Sequence, residues 1–248
     1  MRLLIIRHAE PDYENDTLTE KGWHEAELLS ERIVKLNEKL DIKEIYVSPL
    51  GRAKDTASLS LNKLGRTASE CDWLQEFYQK RILRPDANGM RKAAWDWLPS
   101  DIAAHPLLSD YKHWLEDPLM AEGNIAEPYN YVTGKFSKLL ADHGYTKTDS
   151  YFRVDKANND TLAFFCHFGL ECVLLSFLLN ISPSLLWQGF CAAPSSITEV
   201  LTEERRKGIA QFRVAAFGDT SHLYAGAEEV STAARFCESF DNTDERHD

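Results

Sequence analysis

Leu3-Leu4-Ile5-Ile6-Arg7-His8-Ala9-Glu10-Pro11 is the stretch from which the rest of the 248-residue chain is best read. Its four consecutive aliphatic residues do not alternate with polar ones. That is the pattern of a short strand buried on both faces, as parallel strands covered by helices are. The run stops at Arg7 and His8, so a guanidinium and an imidazole stand at the strand's carboxyl end. Open α/β sheets bind their ligands in the crevice beyond that end.

The same strand-then-helix unit recurs downstream. Thr19 can cap a helix, with Leu18 before it and Trp23 four positions inside as the halves of a hydrophobic staple. Ala26, Leu29, Ile33, Leu36 and Leu40 then give that helix one apolar face. Residues 45–47 predict a second strand, Ser48-Pro49-Leu50 a turn, and residues 51–61 a helix with Arg52 in its first turn. Residues 161–166 are an apolar third strand, His167 stands at its end, and residues 169–179 read as a buried helix. Arg7, His8, Arg52 and His167 thus occupy three equivalent junctions, which predicts that they meet in one crevice. Residues 196–201 and 211–217 are strand-like and joined by a polar turn, predicting a hairpin that finishes one edge of the sheet. From Tyr78 to Pro128 the pattern degrades: Pro85, Pro99, Pro106 and Pro118 interrupt stretches containing Trp95, Trp97 and Trp114. This predicts an inserted helical cap over about residues 78–130. The expected architecture is three-layer α/β/α with a mostly parallel central sheet plus that cap.

Hydrophobic residues make up 44% of the chain and charged residues 27%, near the globular average, and no apolar run approaches the roughly 18 residues of a membrane span. The short run after Met1 does not make a signal-peptide core. The five cysteines, Cys71, Cys166, Cys172, Cys191 and Cys237, are odd in number and form no C-x-x-C pair. Reduced thiols in a cytoplasmic protein are therefore expected, rather than a disulfide scaffold or a structural zinc site. A formal net charge of -11 opposes nucleic acid and anionic membranes as partners, so an anionic substrate requires a locally basic pocket. His24, His105, His113, His143, His222 and His247 show no metal-ligand spacing, and the phosphate-loop, dinucleotide and G-x-S-x-G signatures are missing. Residues 1–240 are expected to form a single domain, and the polar residues 241–248 to fray into solvent. Oligomeric state is left open.

Three strings carry the chemistry: Arg7-His8-Ala9-Glu10-Pro11, the run from Ser48 to Ala57 (S-P-L-G-R-A-K-D-T-A), and Cys166-His167-Phe168-Gly169. In this order, each at a strand-to-helix junction, they resemble the histidine phosphatase superfamily, the phosphoglycerate mutase-like clan, over most of the chain. Leu18, Thr19, Gly22 and Ala26 also resemble that family's L-T-x-x-G-x-x-x-A pattern. The resemblance implies a metal-independent phosphatase without cofactor, acting on a small phosphorylated substrate through a phosphohistidine at His8. A neutral imidazole is a competent nucleophile; flanking guanidiniums disfavour its protonation, and a hydrogen bond at the other nitrogen fixes the reactive tautomer. Arg7 and Arg52 match the family's phosphate clamps, whose planar forks suit phosphoryl oxygens. His167 matches the second histidine, expected as an imidazolium against the equatorial oxygens, with the backbone N–H of Phe168 or Gly169 assisting. The leaving oxygen needs an acid that can afterwards activate water. Glu76 is the candidate, because Trp73-Leu74-Gln75-Glu76-Phe77 resembles the family's acid-bearing segment. In the phytase-like branch the acid directly follows the second histidine. Here Phe168 stands in that place, and Glu171 lies further along, expected to point elsewhere.

Some positions depart from the family pattern. Ala9 replaces the usual glycine, Pro11 stands where mutases have serine or threonine, and Phe77-Tyr78-Gln79 lacks the arginine-tyrosine-glycine run that accompanies the acid in mutases. Phosphatase is favoured over a mutase-type phosphotransferase. That mutase remains the alternative, together with a catalytically silent module that recognises a phosphorylated ligand. Plainer roles compete at single positions: a solvated carboxylate for Glu76, a turn residue for Asn15, and small packing residues for Cys166 and Cys172. The three tryptophans are either core or the wall of a pocket for an apolar or sugar-like leaving group. His222 is placed near the pocket.

Overall fold

The computed structural model describes residues 1–83 and 88–233. Pro85, Cys237, His247 and the stretch expected to fray lie outside the described residues. In chain order the strands are β1 (Arg2–Arg7), β2 (Pro11–Asp12), β3 (Thr17–Leu18), β4 (Ile42–Val47), β5 (Ser69–Glu70), β6 (Tyr145–Lys147), β7 (Phe152–Val154), β8 (Thr161–Cys166), β9 (Ile197–Arg206) and β10 (Ile209–Asp219). The helices are α1 (Glu20–Leu40), α2 (Gly51–Leu64), α3 (Pro99–Ala104), α4 (Pro118–Glu122), α5 (Ala126–Asp142), α6 (Phe168–Leu179), α7 (Pro183–Gly189) and α8 (Ser221–Ala225).

Eight strands form one sheet in the order β5-β4-β8-β1-β9-β10-β7-β6, with β2 and β3 making a separate small ribbon. β5, β4, β8 and β1 are parallel neighbours, whereas every pairing from β1–β9 outward is antiparallel. The sheet is therefore mixed, which corrects the expectation of a mostly parallel one. The β9–β10 hairpin does not finish an edge either. It lies between β1 and the short pair β6–β7, whose tight connections admit only antiparallel pairing.

The four-residue aliphatic run does what its pattern demands. Leu3 and Ile5 pack with Leu162 and Phe164 of β8 and with α5 and α6 on one face. Leu4 and Ile6 pack with Ala163, Phe165, α1 and α2 on the other. Thr19 caps α1, its hydroxyl oxygen accepting the Gly22 N–H at 3.0 Å. The staple does not form: Leu18 packs with Ala9 and Ala26, while Trp23 is 38% exposed.

The helical cap expected over about residues 78–130 is not confirmed. Among the described residues of 78–98 there is no helix, and Ile82 and Lys92 form an isolated antiparallel bridge. Pro99, Pro106 and Pro118 then open short helical turns instead of breaking longer ones, since a first-turn proline gives up no helical hydrogen bond. Ile82, Ala94, Trp97, Leu108, Trp114 and Met120 join the same apolar cluster as Leu3 and Ile5, so burial of large side chains draws the segment into the main core. Among the described residues no helix is long and apolar enough to cross a membrane.

One buried group makes stability depend on pH. Glu25 on α1 accepts the Glu10 N–H at 2.8 Å through one oxygen, and its other oxygen has no partner among the described residues. Burial pushes its pKa from 4.5 to about 7. The folded state thus holds a proton that the unfolded chain releases, and stability falls as pH rises from roughly 4.5 to 7, then levels off. Glu25→Gln is expected to leave urea-unfolding stability unchanged at about pH 5 and to raise it by on the order of 1–3 kcal/mol at about pH 8.5. Equal effects at the two pH values would refute this assignment.

Candidate active site

Arg7 closes β1, with His8 immediately after it; Arg52 is the second residue of α2, and His167 is the N-cap of α6. Glu76 follows the single 3-10 turn Asp72–Leu74 that leads away from β5. The fold brings all five together. The His8 and His167 rings lie 5.1 Å apart between centroids, and the Arg52 Nε–H donates to His8 Nε2 at 3.3 Å. Arg7, Arg52, Glu76, Phe168 and Gly169 line one cleft of about 630 Å³.

His8 is only 2% exposed. Its Nδ1 lies 2.8 Å from the Ala9 carbonyl oxygen, which can only accept, so the proton belongs on Nδ1 and the lone pair on Nε2. Burial holds its pKa well below the ordinary histidine value, and the Arg7 and Arg52 charges add to that effect. The imidazole is neutral with a fixed tautomer.

The surroundings of His167 oppose the charge expected of it. Burial pushes its pKa well below the ordinary value, and His8, Arg52 and Arg7 around it add to that effect. Its Nε2 lies 2.8 Å from the Ser48 hydroxyl, and its buried Nδ1 has no hydrogen-bond partner among the described residues. A neutral His167 that accepts from Ser48 at Nε2 keeps an Nδ1–H to donate.

Both guanidiniums are held by groups the sequence did not single out. Arg7 Nη1 donates to the Ala192 carbonyl oxygen, and its charge sits 5.9 Å from the Phe168 ring centroid. Arg52 Nη1 pairs with Asp16 at 2.5 Å, and the same carboxylate accepts the Gly51 N–H at 2.7 Å. Asp16 escaped the sequence reading because Asp12, Glu14 and Asp16 crowd one loop and spacing cannot rank them. Ser48 was visible within its motif but had no assigned role. Gly51 is where this loop touches α2: a Cβ there would overlap the Asp16 carbonyl oxygen. Gly51→Ala is expected to displace Asp16, to cost about 1–3 kcal/mol of stability, and to weaken inorganic phosphate binding. Wild-type stability and phosphate affinity in the variant would count against this account of the loop.

Glu76 reaches the start of α6. Its carboxylate accepts the Leu170 N–H at 3.0 Å and the Gly169 N–H at 3.3 Å, besides its own neighbour Phe77 at 2.7 Å. A Cβ at position 169 would lie 2.6 Å from Glu76 Oε1, so glycine permits this approach. Burial raises the Glu76 pKa, outweighing the opposing pull of the backbone N–H bonds and of Arg7. The Gly169 N–H, one of two expected to assist the phosphoryl group, is therefore engaged by Glu76.

Most other candidates fall outside the cleft. Asn15 serves a turn, its backbone N–H and side-chain amide both bonding Asp12. His222 is bonded to Ser195 Oγ at 3.1 Å, behind the His8 backbone and not in the cleft, and burial lowers its pKa to about 4. Cys166 and Cys172 are buried thiols pushed well above the ordinary cysteine value by burial. Of the tryptophans, Trp97 and Trp114 are core, while Trp95 lines the cleft and donates its indole N–H to the Phe77 carbonyl at 2.7 Å. Among the described residues no group of three or more His, Cys, Asp or Glu side chains could hold a metal ion.

Residues 3–214 match the sequence profile of the Histidine phosphatase superfamily (branch 1). The chain belongs to this superfamily. Histidine phosphatase structure accounts for the neighbours in fold as well. Phosphoserine phosphatase from Entamoeba histolytica, an alanine mutant in complex with phosphoserine, aligns with a TM-score of 0.57 at 19% identity, covering 90% of this chain and 98% of that one. Mycobacterial glucosyl-3-phosphoglycerate phosphatase aligns with a TM-score of 0.57 at 17% identity, covering 88% and 98% respectively. At such identities the likeness is one of fold. No curated protein sequence matches the chain. The matched span of the superfamily contains Arg7, His8, Arg52, Glu76 and His167.

Proposed function

We propose that the protein is a phosphatase that hydrolyses a small phosphomonoester through a phosphohistidine at His8. The observation that carries this reading is the arrangement at His8: a buried neutral imidazole with its proton fixed on Nδ1 and its Nε2 turned toward the Arg52 guanidinium. As phosphate enters, the Arg52 Nε–H exchanges that nitrogen for a phosphoryl oxygen, and Arg7 and the His167 Nδ1–H bind the remaining oxygens. His8 Nε2 then attacks phosphorus, the bond to the leaving oxygen breaks, and Glu76 gives that oxygen its proton. In the second step Glu76 takes a proton from water, the water oxygen attacks phosphorus, and the nitrogen–phosphorus bond breaks. Hydrolysis is preferred over return of the phosphoryl group to another hydroxyl. Both structural neighbours are phosphatases by name, and the segment after Glu76 lacks the mutase-like run.

The direct test is to mix the protein with excess phosphomonoester, without added metal, and denature it in alkali, which preserves phosphohistidine. Mass spectrometry is expected to find one added phosphoryl group on the peptide containing His8. A phosphoryl group on another residue, or turnover with unmodified His8 throughout, would overturn the assignment.

A further inference from the structure

Residues 192–196, between α7 and β9, touch the candidate site from behind at three points. The Ala192 carbonyl oxygen accepts from the Arg7 guanidinium, and the Ser195 N–H donates to the His8 carbonyl at 3.0 Å. The Arg7 N–H donates to the Ser196 carbonyl at 3.1 Å, and a Ser196 N–H bond to the Ala193 carbonyl, also 3.1 Å, closes the segment into a turn. One short turn therefore sets where both the phosphate clamp and the proposed nucleophile stand. It does so in a costly backbone conformation: Ser195 has a φ of 61°, in the left-handed region that favours glycine. A serine stays there only where its neighbours over-determine it.

The group that holds Ser195 lies on the side away from the cleft. His222 of α8 has its Nε2 3.1 Å from Ser195 Oγ and its Nδ1 3.4 Å from Nη1 of Arg32 on α1. A guanidinium can only donate, so the lone pair is on Nδ1 and the proton on Nε2, and His222 donates to the Ser195 hydroxyl. Arg32 is fixed in turn by Asp219 at the end of β10, through a carboxylate oxygen at 2.5 Å and the carbonyl at 3.3 Å. The other Asp219 carboxylate oxygen accepts the Ser221 N–H at 2.8 Å, which ties down the residue before His222. Ser195 and His222 are not a second nucleophile and base. Ser195 is fully buried, neither residue lines the cleft, and a proton on Nε2 leaves no base facing the hydroxyl. What the chain Asp219, Arg32, His222, Ser195 can do is carry the rigidity of α1 and β10 to the backbone of His8 and the side chain of Arg7.

We propose that His222 is a positioning residue of the reaction: through its bond to the Ser195 hydroxyl it holds the Ala192–Ser196 turn, and with it the Arg7 guanidinium and the His8 backbone, in place for the incoming phosphate. The proposal rests on Arg7 and His8 acting as clamp and nucleophile, and the test separates the two ideas. His222→Leu removes the donor, Ser195→Gly removes the acceptor while easing the left-handed backbone, and His222→Gln keeps an N–H near the place of Nε2. Each variant is first shown to be folded by its urea-unfolding curve and is then assayed without denaturant. His222→Leu and Ser195→Gly are each expected to lose about ten- to a hundredfold in kcat/KM for p-nitrophenyl phosphate, the cost of displacing reacting groups by a fraction of an ångström to one ångström, and His222→Gln to recover most of that loss. A residue that only stabilises the fold would shift the unfolding curve and leave the kinetics of the folded protein alone. The variant carrying both His222→Leu and Ser195→Gly should be no slower than the slower of the two, because both changes cut the same bond. Losses that multiply, or wild-type kcat and KM in folded His222→Leu, would overturn the role of His222. Should His222→Leu not fold, Ser195→Gly decides by itself, and wild-type kinetics there would overturn the proposal equally. Wild-type turnover without phosphorylation of His8 would overturn the reaction and this role together, whereas phosphorylated His8 in wild type beside unimpaired variants would overturn the role of His222 alone.

Discussion

Replacing His8 by alanine is expected to lower p-nitrophenyl phosphate turnover by on the order of 10⁴ or more, as loss of a catalytic nucleophile does in enzymes that work by covalent catalysis. Inorganic phosphate should still bind within a few-fold of wild type, because Arg7, Arg52 and His167 have anchors of their own in Ala192, Asp16 and Ser48. That combination distinguishes a nucleophile from a residue that merely fills the site. The His8 side chain is tied to one carbonyl and one guanidinium, so its removal leaves the strand end and both guanidiniums in position. Steady-state assays and phosphate titration on the same preparation decide the matter. Equal turnover by the two proteins would end the phosphohistidine reading, and loss of phosphate binding along with turnover would make His8 a structural residue.

Glu76→Gln is expected to separate substrates by their leaving group. For an alkyl phosphate, whose alkoxide must be protonated to depart, kcat should fall by roughly 10²–10⁴. For p-nitrophenyl phosphate the first step needs little help, but the second still needs a base to activate water. The variant should therefore release a burst of nitrophenolate matching the enzyme concentration and then slow, with phosphoenzyme accumulating. Because burial raises the Glu76 pKa, wild-type activity on alkyl phosphates should decline as pH rises through that pKa, and the variant should lose this limb. Uniform loss on both substrates without a burst would move the acid to another residue.

The site was more legible than the sheet that carries it. Arg7, His8, Arg52 and His167 each end a strand or open a helix, and an unbroken aliphatic run such as Leu3 to Ile6 has few structural solutions. Glu76 belongs to a looser segment, and its place beside α6 follows from Gly169, whose missing Cβ leaves room for the carboxylate. Asp16 and Ser48 could not be ranked, since any loop aspartate or turn serine looks alike until the partner arrives. The charge state of His167 is not legible for a different reason: it depends on its burial first and then on the charged groups that share the enclosure, which only the folded state defines. In the sheet, the far half turns antiparallel where β9 pairs with β1, and the short segments Tyr145–Lys147 and Phe152–Val154 that extend it are too brief to announce themselves. The prolines were read as breakers when several of them open helical turns.

The pairing of β1 bears on how the molecule is born. Arg2 is matched with Thr161 on one side and Leu201 on the other, so β1 finds one neighbour about 160 residues further along the chain and the second about 200 residues further. Pairings between such distant segments are slow to form, because a long loop must close before any contact rewards it. Until both partners are in place the aliphatic β1 segment has a bare edge, which makes the incomplete fold prone to stick to other chains. The sheet and the candidate site are completed together in this topology: a polypeptide cut short before β9 holds His8 at the end of a strand with one edge unpaired.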